Sequence, residues 1–387
     1  MTMLVTWCRK DLSLLHMLMP NCRVAHLQIS STIWVLDVLF LFALTLQACS
    51  GLINLETDHL PLSSETANAS ISDNFTAYFS DPENPVSSSY RGGPDEALAD
   101  AIRDARVSVD MAIHFLDLWS IRDALIDAHR RGVTVRLVTE SDYMDVPEIQ
   151  ELRAAGIPVL GDRREGSMHN KFVVIDRQEV WTGSLNLSVN GAYRYDNNLV
   201  RVRSSSLAED FTTEFEEMFV DDRFGPGSPA NTPYPSLLLE DTRVEVYFSP
   251  DDGVANHLLS LVRAARESIY FMAFAFTADD LSEAMIQRSR TGVDVAGVFD
   301  KGQSHSNVGT EYDKMRAAGL DVRLDGNTGK MHHKVIIIDE SILITGSYNF
   351  SRNAETQNDE NVLVIYNPEI AARFLEEFER VYGKASK

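Results

Sequence analysis

Apolar residues recur along this chain in two alternating periods. From residue 97 the segments ALADAIRDA, VSVDMAIHF, IRDALIDAHRRG and TVRLVTE read in turn as an amphipathic helix, a buried strand, a helix closed by Gly132 and a second strand. From residue 257 the segments HLLSLVRAARES, IYFMAFAF, LSEAMIQRSRTG and VDVAGVFD read the same way, with Gly292 closing the second helix. Strand and helix in alternation predict an α/β protein whose mixed sheets carry helices on their faces. The residues repeat along with the pattern: Ala77–Ser80 matches Val246–Ser249, and ARVSVDMA from Ala105 matches ARESIYFMA from Ala265. A repeat of about 160 residues is too long for a solenoid and predicts two homologous domains. The expected boundaries are residues 75–224 and 241–387. The linker between them, 225–240, contains the stretch GPGSPANTPYPSL with its four prolines.

Ahead of the repeat the pattern changes. Residues 33–48, IWVLDVLFLFALTLQA, have about the length of a secretory apolar region and are short for a membrane span. They run into Leu46-Gln47-Ala48-Cys49, which resembles the lipobox of bacterial lipoproteins. That resemblance implies a signal peptide over residues 1–48, lipidation of Cys49 and a place in the bacterial cell envelope, facing outside the cytoplasm. The alternative is an uncleaved N-terminal anchor helix, and either reading tethers the protein to a membrane. Residues 49–74 are rich in Ser, Thr, Asn and Asp without a sustained period, and read as a flexible tether.

Composition narrows the chemistry. The 387 residues hold 35 Lys and Arg against 57 Asp and Glu, a formal net charge of −22. Such a surface repels phosphate backbones at long range, so a general nucleic-acid binder is disfavoured. The three cysteines, Cys8, Cys22 and Cys49, all precede the repeat, which leaves its body without a disulfide framework or a cysteine metal site. No Cys/His cluster or HExxH arrangement argues for a metal, and no cofactor is expected.

Each unit contains one dense polar motif: MHNKFVVIDRQEVWTGSLN at residues 168–186 and MHHKVIIIDESILITGSYN at 331–349. Both place Lys two after His, Asp five after Lys, and Gly-Ser seven and eight after Asp, with Asn two beyond Ser. Residues two apart in a strand share a face, so His169 and Lys171, like His332 and Lys334, point the same way. The turn that follows each strand returns Ser184 and Asn186, or Ser347 and Asn349, towards that face. Imidazole, ammonium, hydroxyl and amide together suit a phosphate diester. Lysine neutralises non-bridging oxygens, Ser and Asn add hydrogen bonds, one histidine attacks phosphorus and the other handles the leaving group's proton. Asp176 and Asp339 fall on the opposite strand face and read as architectural.

This pair of motifs closely resembles the signature of the phospholipase D superfamily, HxKxxxxD with a downstream GSxN, and the likeness covers roughly residues 75–385. The resemblance implies two similar α-β-α sandwich domains about a pseudo-twofold axis, an active site at their interface, a phosphohistidine intermediate and no metal. It also implies His169 as nucleophile and His332 as general acid/base, in a monomer carrying both half-sites. Glu360, in the segment Asn358–Asn361, is then a residue able to orient a catalytic imidazole. The first unit has Asn197 in its place, so the two histidines are expected to differ in basicity.

The remaining candidates are weaker. His333 reads as packing, His114 as a buried, hydrogen-bonded strand histidine, and His305 as a loop residue able to reach substrate. Three substrates compete: a phospholipid head group, favoured by the membrane tether and the negative charge; DNA or RNA, for which Arg163, Arg164, Arg194 and Arg201 would have to form a local basic groove; and a second lipid alcohol accepting a phosphatidyl group, as in cardiolipin synthases.

Overall fold

The computed structural model describes residues 68–70 and 74–386, so the apolar segment at 33–48, Cys49 and most of the tether lie outside the described residues. Two eight-stranded sheets follow one another along the chain. The first contains β1 (Asn68–Ser70), β2 (Phe75–Phe79), β3 (Ser108–Ile113), β4 (Thr134–Thr139), β5 (Val159–Gly161), β6 (Lys171–Ile175), β7 (Glu179–Gly183) and β8 (Asn198–Arg203). The second contains β9 (Ser236–Leu239), β10 (Thr242–Ser249), β11 (Ser268–Ala273), β12 (Asp294–Phe299), β13 (Asp321–Leu324), β14 (Lys334–Ile338), β15 (Ile342–Gly346) and β16 (Glu360–Tyr366). The strand orders are β1-β2-β8-β7-β6-β3-β4-β5 and β9-β10-β16-β15-β14-β11-β12-β13, one topology used twice. In each sheet the two crossovers through a helix give parallel pairs, β3–β4–β5 and β11–β12–β13, and the other pairs are antiparallel.

Two differences from the sequence reading concern the edges. The stretch read as tether ends in β1, and the stretch read as linker ends in β9; each adds an antiparallel edge strand, to β2 and to β10. Neither has the alternating apolar pattern that marks a half-buried strand.

Helices cover both faces of each sheet. On the outer face of the first, Pro94–Asp104 and Trp119–Arg130 bury Leu98, Ile102, Ile121 and Leu125. Val254–Ala264 and Asp279–Arg290 repeat this on the second. Between the sheets lie the helices Ser205–Phe219 and Pro368–Lys384, and their Phe211, Phe215, Phe374 and Phe378 join a single core with strand residues from both halves, including Phe172, Val244 and Phe248. Truncating one of these fully buried phenylalanines to Ala removes about 3–5 kcal/mol. The shared core fixes one half against the other.

Polar contacts set the register across that junction. Asp359 donates its amide to the Ser167 carbonyl and accepts from His169 N, both at 3.0 Å. The other half mirrors this: Asp196 donates to Lys330 O at 2.9 Å and accepts from His332 N at 2.8 Å. Deeper in, Asn361 donates to Asn170 Oδ1 at 2.8 Å, and Asn198 pairs with His333 Nδ1 at 3.0 Å. Arg380 of the last helix reaches Asp196 at 2.6 Å. Each motif is thus positioned partly by the opposite half.

Candidate active site

The two His-x-Lys pairs sit where β6 and β14 begin, at the junction of the halves. Lys171 and Lys334 are buried and donate to the carbonyls of His169 and His332 at 2.7 and 2.8 Å, which folds each ammonium back beneath its imidazole. Lys334 Nζ also lies 3.2 Å from His332 Nε2.

The next part of each motif holds the opposite imidazole. Gly183 and Gly346 adopt φ of 155° and 151°, and a Cβ there would meet the carbonyl oxygens of Asn198 and Asn361 at 2.5 and 2.1 Å. Only glycine fits so close a backbone approach. The serine that follows accepts from the amide of Asn198 or Asn361 at 3.0 Å. Ser184 then donates to Asn197 Oδ1 at 2.9 Å, and Ser347 to Glu360 Oε2 at 2.6 Å. The sequence reading gave these hydroxyls to the phosphate. In the structure each hydroxyl's single proton is committed to the group that orients a histidine.

The orienting contacts cross between the halves. Glu360 Oε2 lies 2.8 Å from His169 Nδ1, and Asn197 Oδ1 lies 2.9 Å from His332 Nδ1, which also meets the Ser184 carbonyl at 3.1 Å. Oxygen acceptors around both Nδ1 atoms place the proton there and leave each Nε2 with its lone pair towards the site. Asn349 holds a buried Oδ1 without a hydrogen-bond partner, while Asn186 has a side-chain hydrogen bond with His114. Asp176 and Asp339 are turned away: each carboxylate accepts from three consecutive backbone amides, of residues 106–108 and 266–268, at 2.7–3.1 Å. Both lie in the left-handed region, at φ of 54° and 51°, where the short Asp side chain is tolerated.

Burial dominates the electrostatics. It pulls His169 well below the ordinary imidazole value, reinforced by Lys171 and Lys334; His332 is pulled down by burial, then by Lys334 and Lys171. Lys171 is brought down to about 7 by burial, against the pull of Glu360. Lys334 is brought well below its ordinary value by burial and by Lys171. Glu360, fully enclosed, is pushed up to about 7 by burial, with Lys171 and the Ser347 hydroxyl opposing. Two lysines held at a cost in solvation form a site that an anion stabilises.

The remaining candidates separate. His114 has a side-chain hydrogen bond with Asn186, as a hydrogen-bonded histidine should, but it lies at the site: its ring packs edge-on against His169 with centroids 4.8 Å apart. Burial and the nearby His169 pull it far below the ordinary imidazole value. Phe274 takes the same place in the second half, 4.5 Å from His332. Nothing in the sequence marked Phe274; the strand register makes it the equivalent of His114, since Ile113 pairs with Lys171 and Ala273 with Lys334. His333 is fully buried, with Nε2 2.9 Å from Glu377. His305 is exposed on the short helix Lys301–Ser306. The four arginines form no common groove: Arg163 pairs with Asp222, Arg201 with Glu179, Arg164 donates to the carbonyls of Asp222 and Phe224, and Arg194 lies over Tyr90. Among the described residues no helix is long and apolar enough to cross a membrane.

Known proteins with these features can now be set beside the chain. The family described as "Cardiolipin synthase, PLD-like domain" matches twice, at residues 98–219 and 258–382. The chain is 39% identical to the mitochondrial cardiolipin hydrolase of Homo sapiens over 131 residues, 34% of this chain and 52% of that protein. It is 33% identical to a phospholipase D of Rickettsia bellii over 156 residues, 38% of this chain and 76% of that one. The chain spans about half the length of the cardiolipin hydrolases it matches. In fold, it resembles the phosphatidylserine synthase of Haemophilus influenzae with a TM-score of 0.61 and 15% identity, over 78% of this chain and 85% of that one. With the family matched in both halves and one topology used twice around paired His-x-Lys motifs, the chain belongs to the phospholipase D superfamily.

Proposed function

We propose that this phosphodiesterase hydrolyses the head-group phosphodiester of a phospholipid through a covalent phosphohistidine, without a metal. The observation that carries the mechanism is the crossed pairing of two histidines with two unlike partners, His169 with Glu360 and His332 with Asn197. A carboxylate stabilises the imidazolium character that His169 acquires as its Nε2 attacks phosphorus. The neutral amide holds His332 in position and leaves it free to pass a proton.

In the first step the His169 Nε2–phosphorus bond forms as the bond from phosphorus to the leaving alcohol breaks, and His332, whose Nε2 takes up a proton from solvent when the negative charge of the bound diester raises its basicity, gives that oxygen this proton. In the second, His332 takes a proton from water as its oxygen attacks phosphorus, and His169 leaves. Lys171 and Lys334 hold the non-bridging oxygens, and the Asn186 and Asn349 amides add hydrogen bonds. Ser184 and Ser347 keep the orienting groups in place.

A lipid substrate fits the net charge of −22 and the pairing of Arg163 and Arg201 with carboxylates, which leaves no basic groove of those residues for a polynucleotide. A lipid anchor at Cys49 would hold the enzyme against a membrane in the cell envelope. One observation favours a nuclease instead: Tyr90 and Trp119 are exposed, their rings 5.9 Å apart, and Arg194 lies over Tyr90, a small platform of the kind on which bases stack.

The full chain, incubated in EDTA with phospholipid vesicles and separately with plasmid DNA, decides between them. Head-group release by the wild type and not by a His169→Ala, His332→Ala double variant is the expected result. Nicked plasmid with intact lipid would establish the nuclease, and transfer of the lipid phosphate to added glycerol would establish a transferase.

A further inference from the structure

The two half-sites differ most at their rims. Two residues before the motif histidine, the first half has Ser167 and the second has Lys330. Ser167 is turned inward, its hydroxyl donating to Glu140 at 2.8 Å. Lys330 is exposed, and its ammonium lies 5.5 Å from the centre of the Tyr195 ring and 5.4 Å from that of Phe274. Those two rings flank His332, at 6.5 and 4.5 Å. The Lys330 backbone is fixed, because its carbonyl accepts from Asp196 N at 2.9 Å and from Asn327 Nδ2 at 3.2 Å.

The charges around this ammonium do not neutralise it. Lys330 makes no ion pair among the described residues. Asp300 is the carboxylate its charge reaches, and that side chain is buried and turned to the amides of Gln303 and Met331. Asp196 is bound to Arg380 and Asn327. On the site side the charge of Lys330 acts on two further basic groups, Lys334 and His332, and on neither is it neutralised. In a chain with net charge −22, this rim position beside the two rings that flank His332 therefore carries a positive charge with no ion-pair partner among the described residues.

We propose that Lys330, held between Tyr195 and Phe274, is the leaving-group subsite and selects phospholipids whose departing alcohol carries an anion, such as a second phosphate, over those that release choline or ethanolamine. The inference rests on the lipid reading above. With His169 as nucleophile, in-line displacement sends the leaving oxygen towards His332, and the rest of that alcohol meets Lys330. Paired aromatic faces bind ammonium groups when they are free to do so. Here the protein's own ammonium occupies them, so a substrate ammonium meets a like charge while an anion gains a partner next to a low-dielectric site.

The test compares kcat/KM of the full chain on monomeric short-chain phosphatidylglycerophosphate, phosphatidylglycerol and phosphatidylcholine. The wild type is expected to favour the first over the last by about tenfold or more, the equivalent of ~1.4 kcal/mol. Lys330→Met should bring that ratio close to unity, Lys330→Glu should invert it, and Lys330→Arg should preserve it. An unchanged ratio in Lys330→Met, or a wild type that prefers phosphatidylcholine, overturns the inference. Plasmid nicking without cleavage of any lipid overturns the lipid reading and this inference with it. Lipid cleavage without a charge preference overturns this inference alone.

Discussion

Glu360, at the start of the strand that carries it in the second half, accepts the Nδ1 proton of His169 in the first half at 2.8 Å. The equivalent contact in the other direction ends on an amide, Asn197 to His332 at 2.9 Å. A sequence repeat has produced a site whose two imidazoles are held alike in space and unlike in charge.

In the proposed mechanism that difference sets the roles of the two histidines. Glu360→Gln keeps the hydrogen bond and loses the charge that stabilises imidazolium character on His169, and kcat should fall by about tenfold or more, ~1.4 kcal/mol of barrier or more. Asn197→Glu puts a second carboxylate beside His332 and should raise its basicity, moving the basic limb of the kcat profile to higher pH. Equal responses of the pH profile to both substitutions would remove the distinction between the two histidines.

The lysines predict how anion binding follows pH. Lys171 titrates near 7 in the free protein, so its cation is present below that value and lost above it. Inhibition by inorganic phosphate or tungstate should weaken as pH rises from 6 to 8, followed as an inhibition constant on a soluble diester. The acid limb of kcat/KM should lie well below 6.5, because burial keeps His169 neutral to low pH. Lys171→Met should abolish the pH dependence of anion binding around neutrality along with most of the affinity.

The repeated Asp spends its carboxylate on backbone amides, and its expected effect is on stability. Asp176→Ala removes the acceptor for the amides of residues 106–108 and should cost about 1–3 kcal/mol of stability, read by denaturant unfolding. Asp339→Ala should do the same in the second half, where the amides are those of residues 266–268. At temperatures where the variants remain folded, KM should stay near the wild-type value.

A buried carboxylate at the junction gives a pH-linked test of stability. Burial raises Asp359 from 3.8 to about 8, so the folded state holds a proton there that the unfolded chain has lost. Its stabilising protonated form is fully present below about 4 and is lost as pH rises through 8. Asp359→Asn stays neutral throughout. Relative to the wild type its melting temperature should therefore rise between pH 4 and 8 and change little above that.

The architecture and the gathering of the two His-x-Lys pairs at one place were legible in the sequence because both rest on local pattern. Period-2 and period-3.6 apolar runs marked the strands and helices, and two copies of one spacing brought His169, Lys171, His332 and Lys334 forward. Contacts between distant segments were not legible. The serine of the second motif looks like a phosphate donor until β15 and β16 place its hydroxyl 2.6 Å from Glu360. His114 looked like a core histidine because its strand is apolar, and only the pairing of β3 with β6 sets it against His169. The edge strands β1 and β9 lie in polar or proline-rich stretches that carry no strand period.

Covalent catalysis by His169, with His332 as acid and base, can be tested by trapping the intermediate. A phosphorus-labelled phospholipid is mixed with the full chain in EDTA, quenched at high pH to preserve phosphohistidine, and the label is located by peptide mass spectrometry. Label is expected on His169 in the wild type, more of it in His332→Asn, where water attack is slowed, and none in His169→Asn. Label on His332 with His169 unmodified, or turnover by His169→Asn at the wild-type rate, would contradict it.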